Sequence, residues 1–268
     1  MKVLLCGKGG CGKSTLAALL AGAYAAGGKN VLVVDCDESN YGLHRQLGLE
    51  LPKDLTHFFG GKKGAYREFD SKGRVFEKKW TPDDVPPEYM SRKDGIKLIA
   101  VGKISEAGEG CACGIGFLAK EFLNNLETGE NDIVIVDTEA GVEHFGRGVD
   151  EFADVIIMVV DPSYESIHLS EKVCDMCRAF GKPVYIVINK ADEAQEKLIR
   201  ETIRDRDAVI AVIRPDAGIM EAGLKGEPLS VDIPAVRTLA DKLGKVLCGK
   251  DTKRIITARN TSECAGLL

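Results

Sequence analysis

Apolar residues along this chain gather in short runs rich in Val, Ile and Leu, and most of these runs are separated by segments of helix length. A short buried run between polar residues is typical of a strand in a parallel sheet whose two faces are both covered. The pattern therefore predicts an α/β fold, with a mostly parallel, doubly wound sheet and helices on both faces. The predicted strands are residues 1–6, 31–34, 96–101, 133–136, 155–160, 184–188 and 209–213.

Residues 51–94 interrupt this alternation with a polar stretch that is rich in glycine and charge and contains Trp80, the only tryptophan. We interpret the stretch as an insertion between sheet strands. Within it, residues 67–69 and 74–77 flank the tetrapeptide 70–73, whose first Asp and last Gly suit a turn. This arrangement predicts a small β-hairpin.

A glycine-rich loop follows the first predicted strand, and its spacing matches G-x-x-x-x-G-K-[ST]. In such a loop, backbone N–H groups surround the phosphates of a nucleotide, the lysine reaches the outer phosphates, and the hydroxyl contacts Mg²⁺. Residues 14–25 are predicted as the following helix, whose N-terminal dipole favours the anion. The sequence thus predicts a P-loop NTPase that binds a nucleotide with Mg²⁺, with an additional lysine at the second position. The predicted nucleotide-binding residues are Gly7, Lys8, Gly9, Gly10, Cys11, Gly12, Lys13, Ser14 and Thr15.

Acidic residues follow two further predicted strands. Asp35 and Asp37 end the second strand, where an acid beside a phosphate can orient the attacking water or support magnesium; turn formation or helix capping is the alternative. Asp137 is expected to hold Mg²⁺ through water, and Gly141 to sense the terminal phosphate through its N–H. Residues 142–148 would then form a switch that the phosphate orders.

Two later strand ends resemble nucleobase-recognition segments. Asn189 and Lys190 follow one strand, and Arg214, Pro215 and Asp216 follow the next. Ordinary strand-to-helix turns favour the same residue types. Either adenine or guanine fits this pattern.

Composition places the chain among ordinary globular proteins. It has 268 residues, 44% hydrophobic and 29% charged, which we expect to form a single P-loop domain over residues 1–268. A net charge of −5 without a basic run argues against nucleic acid as a partner. No apolar stretch reaches the ~20 residues that a membrane span requires, so we expect no membrane partner and a cytoplasmic location.

Lys8, the acids of the DCDES segment and the DTEAG segment together resemble the deviant Walker A ATPases. That group includes the nitrogenase iron protein and the cell-division and partition ATPases, which work as dimers. The resemblance implies that Lys8 reaches across the interface to the partner's nucleotide and that Asp37 positions the attacking water. It likewise implies that Lys13 and Ser14 hold phosphate and Mg²⁺ while Asp137 supports the metal.

Cys111 and Cys113 form a pair in a glycine-rich segment. A disulfide between residues this close would be strained, and two thiolates cannot complete the four-coordinate shell that Zn²⁺ prefers. A twofold dimer axis would supply two more, which predicts a metal ion held between subunits. Cys174 and Cys177 share one face of a predicted helix, which favours core packing over a redox pair or a second metal half-site.

The cysteine pair, Cys11 and the string DTEAGVEHFGRG closely resemble the CooC-type maturation ATPases of nickel carbon monoxide dehydrogenase and the related accessory ATPases of acetyl-CoA synthase. The similarity runs from Met1 to about Pro228. It implies a homodimeric nickel-insertion factor that hydrolyses ATP to ADP and holds Ni²⁺ or Zn²⁺ between its subunits. Its client would be one of those two enzymes.

Two other functions stay open at the level of sequence. An ATP-gated electron donor resembling the nitrogenase iron protein would bridge its subunits with an iron–sulfur cluster through the same number of thiolates. A nucleotide-switched positioning protein of the cell-division type would carry a basic amphipathic membrane-binding helix at its C-terminus. Residues 236–247 are amphipathic, but the chain continues well beyond them, so we interpret them as a surface or packing helix.

Overall fold

The computed structural model describes residues 1–61, 63–104, 113–142 and 148–247. Its described strands form one sheet in the order β3-β4-β2-β5-β1-β6-β7-β8, in which β3 alone runs antiparallel to its neighbour. The seven predicted strands are confirmed, each within one residue at either end. In chain order the strands are β1 Lys2–Gly7, β2 Asn30–Asp35, β3 Ser91–Lys93, β4 Ile96–Ala100, β5 Asp132–Asp137, β6 Val155–Val160, β7 Val184–Asn189 and β8 Val209–Ile213.

Helices connect most of these strands, and several begin at a side chain that caps the first turn. Asp192 and Gln195 form a reciprocal capping box at the start of one helix, and Asp216 accepts a bond from the Ile219 N–H at the start of the next. No helix in the described ranges has the length and apolar character needed to cross a membrane. The helices are α1 Lys13–Ala26, α2 Leu43–Gln46, α3 Leu55–Phe58, α4 Gly64–Lys72, α5 Cys113–Asn125, α6 Tyr164–Ala179, α7 Glu193–Thr202, α8 Ala217–Lys225 and α9 Pro234–Leu247.

Both faces of the sheet are buried, because alternate residues of each strand point to opposite sides. In β1, Leu4 belongs to the core that α5 and α6 cover, whereas Val3 and Leu5 belong to the core under α1 and α9. Helix α9 contains the predicted packing segment 236–247. It buries Leu239 and three other apolar side chains against the sheet and α1.

The predicted hairpin in residues 67–77 is wrong. Residues 64–72 form α4, and Gly73 ends this helix in the left-handed conformation with φ 67°. An Asp-to-Gly tetrapeptide suits both a turn and a helix C-terminus, and the packing of α4 against α5 decides between them. The polar stretch contributes to the core on one face of the sheet. Trp80 is buried there, and its backbone N–H donates to the Asn125 carbonyl at 2.9 Å.

Candidate functional site

The loop between β1 and α1 depends on two glycines, Gly7 and Gly12, where a side chain would be both strained and obstructed. Gly7 has φ 146°, and a Cβ on it would lie 2.5 Å from the Val159 carbonyl oxygen. Gly12 has φ 101°, and a Cβ on it would lie 2.3 Å from Nδ2 of Asn189. The buried side chain of Lys13 turns back over the loop, where its Nζ lies 3.2 Å from the Gly7 carbonyl oxygen and 3.3 Å from that of Lys8. The loop therefore has the cradle shape and the buried cation that a phosphate group requires.

Two residues at the end of β7 hold this loop through side-chain hydrogen bonds to its carbonyl groups. Asn189 donates from Nδ2 to the Cys11 carbonyl at 2.8 Å, and Lys190 donates from Nζ to the Gly10 carbonyl at 2.9 Å. Lys190 holds a left-handed backbone with φ 60°, which is uncommon outside glycine. Cys11 is fully buried, and burial raises the pKa of its thiol to about 11, so it packs rather than reacts.

The remaining predicted base-recognition residues lie at the end of β8. Arg214 donates from Nη1 to the Ala191 carbonyl at 2.9 Å and pairs with Glu196 through Nη2. Pro215 follows Arg214 in the chain. Asp216 comes next and caps α8, where its side chain accepts from the Ile219 N–H. These contacts tie the ends of β7 and β8 together, and recognition of a base by this group of residues stays a prediction.

The acidic residues meet at the carboxyl edge of the sheet, since Asp35 and Asp137 are register partners on β2 and β5. Oδ2 of Asp35 accepts from Nζ of Lys103 at 2.6 Å, and its Oδ1 accepts from the Asp37 N–H at 3.1 Å. Burial raises the pKa of Asp35 to about 6, against the opposing effect of Lys103.

Asp137 is fully buried and lies directly under the loop. Its Oδ2 accepts from the Ser14 hydroxyl at 2.6 Å, and Nδ2 of Asn40 donates to the same hydroxyl oxygen at 2.7 Å. Burial, followed by the charge of Asp35, raises the pKa of Asp137 to about 7. Its Oδ1 has no hydrogen-bond partner among the described residues. A buried carboxylate oxygen left open beside a P-loop hydroxyl fits a magnesium ion or its water.

Asp37 lies on the loop after β2 and is largely buried. Its Oδ1 accepts from the backbone N–H of Ser39 at 3.0 Å and from the Ser39 hydroxyl at 2.7 Å, as in an Asx-turn. The turn-forming interpretation of Asp37 is confirmed, and its role towards the attacking water or magnesium stays a prediction. The turn fixes its carboxylate at the edge of the sheet that carries the phosphate loop.

Gly141 forms an isolated antiparallel bridge with Gly7, to which it donates its N–H at 3.1 Å. In this arrangement the N–H is engaged by the P-loop itself, so a terminal phosphate would have to displace that bond in order to be sensed. A Cβ on Gly9 would lie 3.6 Å from that of Ala140, which shows how closely the two loops approach. Residues 143–147 of the predicted switch lie outside the described residues.

The additional lysine turns towards β6 in its own chain. Nζ of Lys8 lies 3.3 Å from the Ser163 hydroxyl, which in turn donates to Oδ1 of Asp161 at 2.7 Å. Among the described residues, one long, half-buried hydrogen bond holds this cation, so little free energy there opposes its movement to another partner. Its predicted role across a dimer interface stays a prediction.

Of the predicted metal ligands, Cys111 lies outside the described residues, and Cys113 is the first residue of α5, with its side chain likewise outside them. Over the described ranges, no cluster of three or more His, Cys, Asp or Glu side chains is arranged to hold a metal ion. Cys174 and Cys177 are buried in the core under α6, which confirms the packing interpretation.

Sequence reasoning missed Lys103 and Asn40, both of which contact the site. Lysines in loops are usually exposed, and an Asn two residues before a Gly usually marks a turn. The available signal was the position of Lys103 at a strand end, on the edge where the carboxylates gather.

The sheet order, the glycine loop after β1 and the acids at the ends of β2 and β5 define an α/β P-loop nucleotide-binding protein. A family model described as the CobQ/CobB/MinD/ParA nucleotide binding domain matches residues 3–229, and the chain belongs to this family. It is accordingly a P-loop ATPase, as members of the family hydrolyse ATP.

Similar proteins include an uncharacterized ATP-binding protein of Methanocaldococcus jannaschii, 47% identical over 250 residues that span 91% of this chain and all of the relative. The carbon monoxide dehydrogenase accessory protein CooC of Rhodospirillum rubrum is 32% identical over 198 residues, or 71% of this chain and 74% of its own. In fold the chain is similar to the septum site-determining protein MinD of Pyrococcus horikoshii, solved with Mg-ADP, at a TM-score of 0.67 and 20% identity. That alignment covers 92% of this chain and 97% of the other.

Proposed function

We propose that this ATPase works as a homodimeric metallochaperone that inserts nickel into the active-site cluster of carbon monoxide dehydrogenase or acetyl-CoA synthase. The observation that carries the proposal is the Cys111-Ala112-Cys113 pair in a P-loop ATPase that is 32% identical to a carbon monoxide dehydrogenase accessory protein. Two such pairs, related by a twofold axis, would supply the four thiolates that Zn²⁺ prefers and would offer the same four ligands to a Ni²⁺ cargo.

The chain path supports a link between this pair and the nucleotide. Residues 101–104 lead from β4 towards the cysteines and lie against the loop that carries Asp37. The Ile104 N–H donates to the Glu38 carbonyl at 3.1 Å, and the Tyr41 hydroxyl donates to the Ile104 carbonyl at 2.7 Å. A shift of the Asp37 loop on ATP binding or hydrolysis would therefore pull on the backbone that enters the cysteine segment.

For hydrolysis, we assign the phosphates to the loop of residues 7–15, with Lys13 as the cation that reaches them. Ser14 and Asp137 would hold Mg²⁺, which supplies charge neutralisation at the phosphates when bound. Asp37 would orient the attacking water, and Lys8 would leave Ser163 to reach the nucleotide of the partner subunit. Neither Lys13 nor Asp137 needs to move far for these roles, because both already lie buried around the loop.

The decisive experiment measures bound metal and oligomeric state together in the full chain, without nucleotide, with ADP and with a non-hydrolysable ATP analogue. After loading with Ni²⁺ or Zn²⁺, the wild-type protein should hold about one ion per two chains in one of these states. Cys111→Ser and Cys113→Ser should each lose that ion, while their affinity for the ATP analogue stays within about 2-fold of wild type.

Cys264→Ser is the matched control, and it should keep both the metal and the nucleotide. Equal metal content in all three variants and in wild type would contradict an interfacial cysteine site. Anaerobically purified protein that contains iron and sulfide and has a reducible visible spectrum would instead support the iron–sulfur electron donor.

A further inference from the structure

A buried lysine outside the P-loop organises the candidate catalytic loop. Lys103 is 6% exposed, and its Nζ lies 2.6 Å from Oδ2 of Asp35, 2.6 Å from the Asp37 carbonyl oxygen and 2.5 Å from the Asn40 carbonyl oxygen. A lysine ammonium has three protons to donate, and these contacts use all of them. All three acceptors therefore lie at the end of β2 or in the loop that follows it.

The two carbonyl groups belong to Asp37 and Asn40, which lie in the loop after β2. Asp37 carries the candidate water-positioning carboxylate, and Asn40 reaches Ser14 at 2.7 Å, which in turn donates to Asp137. By holding both backbone carbonyls, Lys103 sets the distance between Asp37 and the Ser14–Asp137 pair. An error of about 1 Å in such a distance costs as much as ~100-fold in rate.

Charge balance alone does not explain these contacts. Neutralising Asp35 needs one ion pair, and replacing a buried ion pair by apolar residues is often neutral or stabilising. Here the cation is also aimed at two carbonyls three residues apart in the chain. Burying this ammonium costs desolvation energy. Among the described residues, its contacts beyond Asp35 are with the Asp37 and Asn40 carbonyls and with the Tyr41 ring, whose centroid lies 5.6 Å from Nζ.

We propose that Lys103 is a positioning residue for ATP hydrolysis, which acts by fixing the loop of residues 37–40 against the P-loop. This role of Lys103 rests on ATP hydrolysis at this site and on the role proposed for Asp37, and it does not depend on nickel delivery.

The test compares three variants of the full chain by kcat and KM for Mg-ATP, by affinity for a non-hydrolysable ATP analogue, and by thermal melting. Lys103→Met leaves the Asp35 charge buried alone and is expected to lower the melting temperature. The double variant Asp35→Asn/Lys103→Met removes both charges and should recover much of that stability. Lys97→Met is the control, because Lys97 lies on β4, the strand that precedes Lys103, and makes an equally short 2.6 Å ion pair with Asp83, whose side chain is 80% exposed.

The expected result is a fall in kcat of about 10- to 100-fold in the single and the double variant, with affinity for the analogue changed by less than about 3-fold. Lys97→Met should match wild type. A double variant that recovers kcat to within about 2-fold of wild type would overturn the proposal, because Lys103 would then be only a counter-charge. Asp37→Asn in the same assay keeps the two ideas apart: full activity there would refute the role of Asp37, whatever the Lys103 variants do.

Discussion

The carboxyl ends of β2 and β5 present the same group in two different settings. Asp35 and Asp137 are register partners on adjacent strands, and both are buried. Both oxygens of Asp35 accept hydrogen bonds, one of them from the ammonium of Lys103. Asp137 has only the Ser14 hydroxyl on one oxygen and, among the described residues, nothing on the other. At one strand end the chain provides its own cation, and at the other it leaves that place open.

The difference suggests that these two neighbouring acids have different roles, one structural and one functional. A buried carboxylate without a counter-charge is unfavourable unless it is protonated or meets a cation. The pKa of Asp137, raised to about 7, reflects this unfavourable burial of a negative charge. Beside a phosphate loop, a magnesium ion would relieve it. We therefore propose that Asp35 anchors Lys103 and that Asp137 is the carboxylate that serves the magnesium–nucleotide complex.

The largest expected effect comes from removing the anchor. Asp35→Asn leaves the Lys103 ammonium buried without a counter-ion, so the free energy of unfolding should fall by about 3–5 kcal/mol in urea denaturation. Asp83→Asn, which breaks the exposed ion pair with Lys97, should cost no more than about 1 kcal/mol. Equal losses in the two variants would show that burial does not distinguish these ion pairs.

A smaller effect should appear in the pH dependence of stability. The pKa of Asp137 is raised in the folded state, so between the unfolded value, about 3.9, and the folded value, about 7, the native chain keeps a proton that the unfolded chain has released. The free energy of unfolding of nucleotide-free, chelator-treated protein should therefore fall as pH rises through this window and level off above it.

Asp137→Asn should remove this share of the slope and should be at least as stable as wild type near neutral pH. Asp35, whose pKa is raised to about 6, contributes in the same direction in both proteins, so the difference between them reports Asp137 together with its electrostatic coupling to Asp35. If the free energy of unfolding had the same pH dependence in wild type and in Asp137→Asn, the raised pKa of Asp137 would be contradicted.

Much of the sheet and the loop was predictable from sequence because their signals are local. Val- and Ile-rich runs located seven strands, and the spacing of Gly7, Gly12 and Lys13 located the phosphate loop. Strand β3 was missed, because Ser91-Arg92-Lys93 is short and polar and gains its conformation only by pairing with the edge of β4.

The parts that could not be predicted depend on contacts between distant residues. Gly73 has the positive φ that its turn signal suggested, but it ends a helix whose existence depends on packing against α5. The burial of Lys103 depends on Asp35, which lies 68 positions away, and nothing in the residues next to Lys103 reports that pairing. The open oxygen of Asp137 is likewise a property of the assembled edge and not of its own strand.

The most direct test of the contrast between these two acids is the affinity of Mn²⁺, as a spectroscopic stand-in for Mg²⁺, measured by electron paramagnetic resonance with a saturating non-hydrolysable ATP analogue. Wild type and Asp35→Asn/Lys103→Met should bind about one ion per chain with similar affinity, and Asp137→Asn should bind it at least ~10-fold more weakly. An Asp137→Asn protein that binds Mn²⁺ as tightly as wild type would contradict the account.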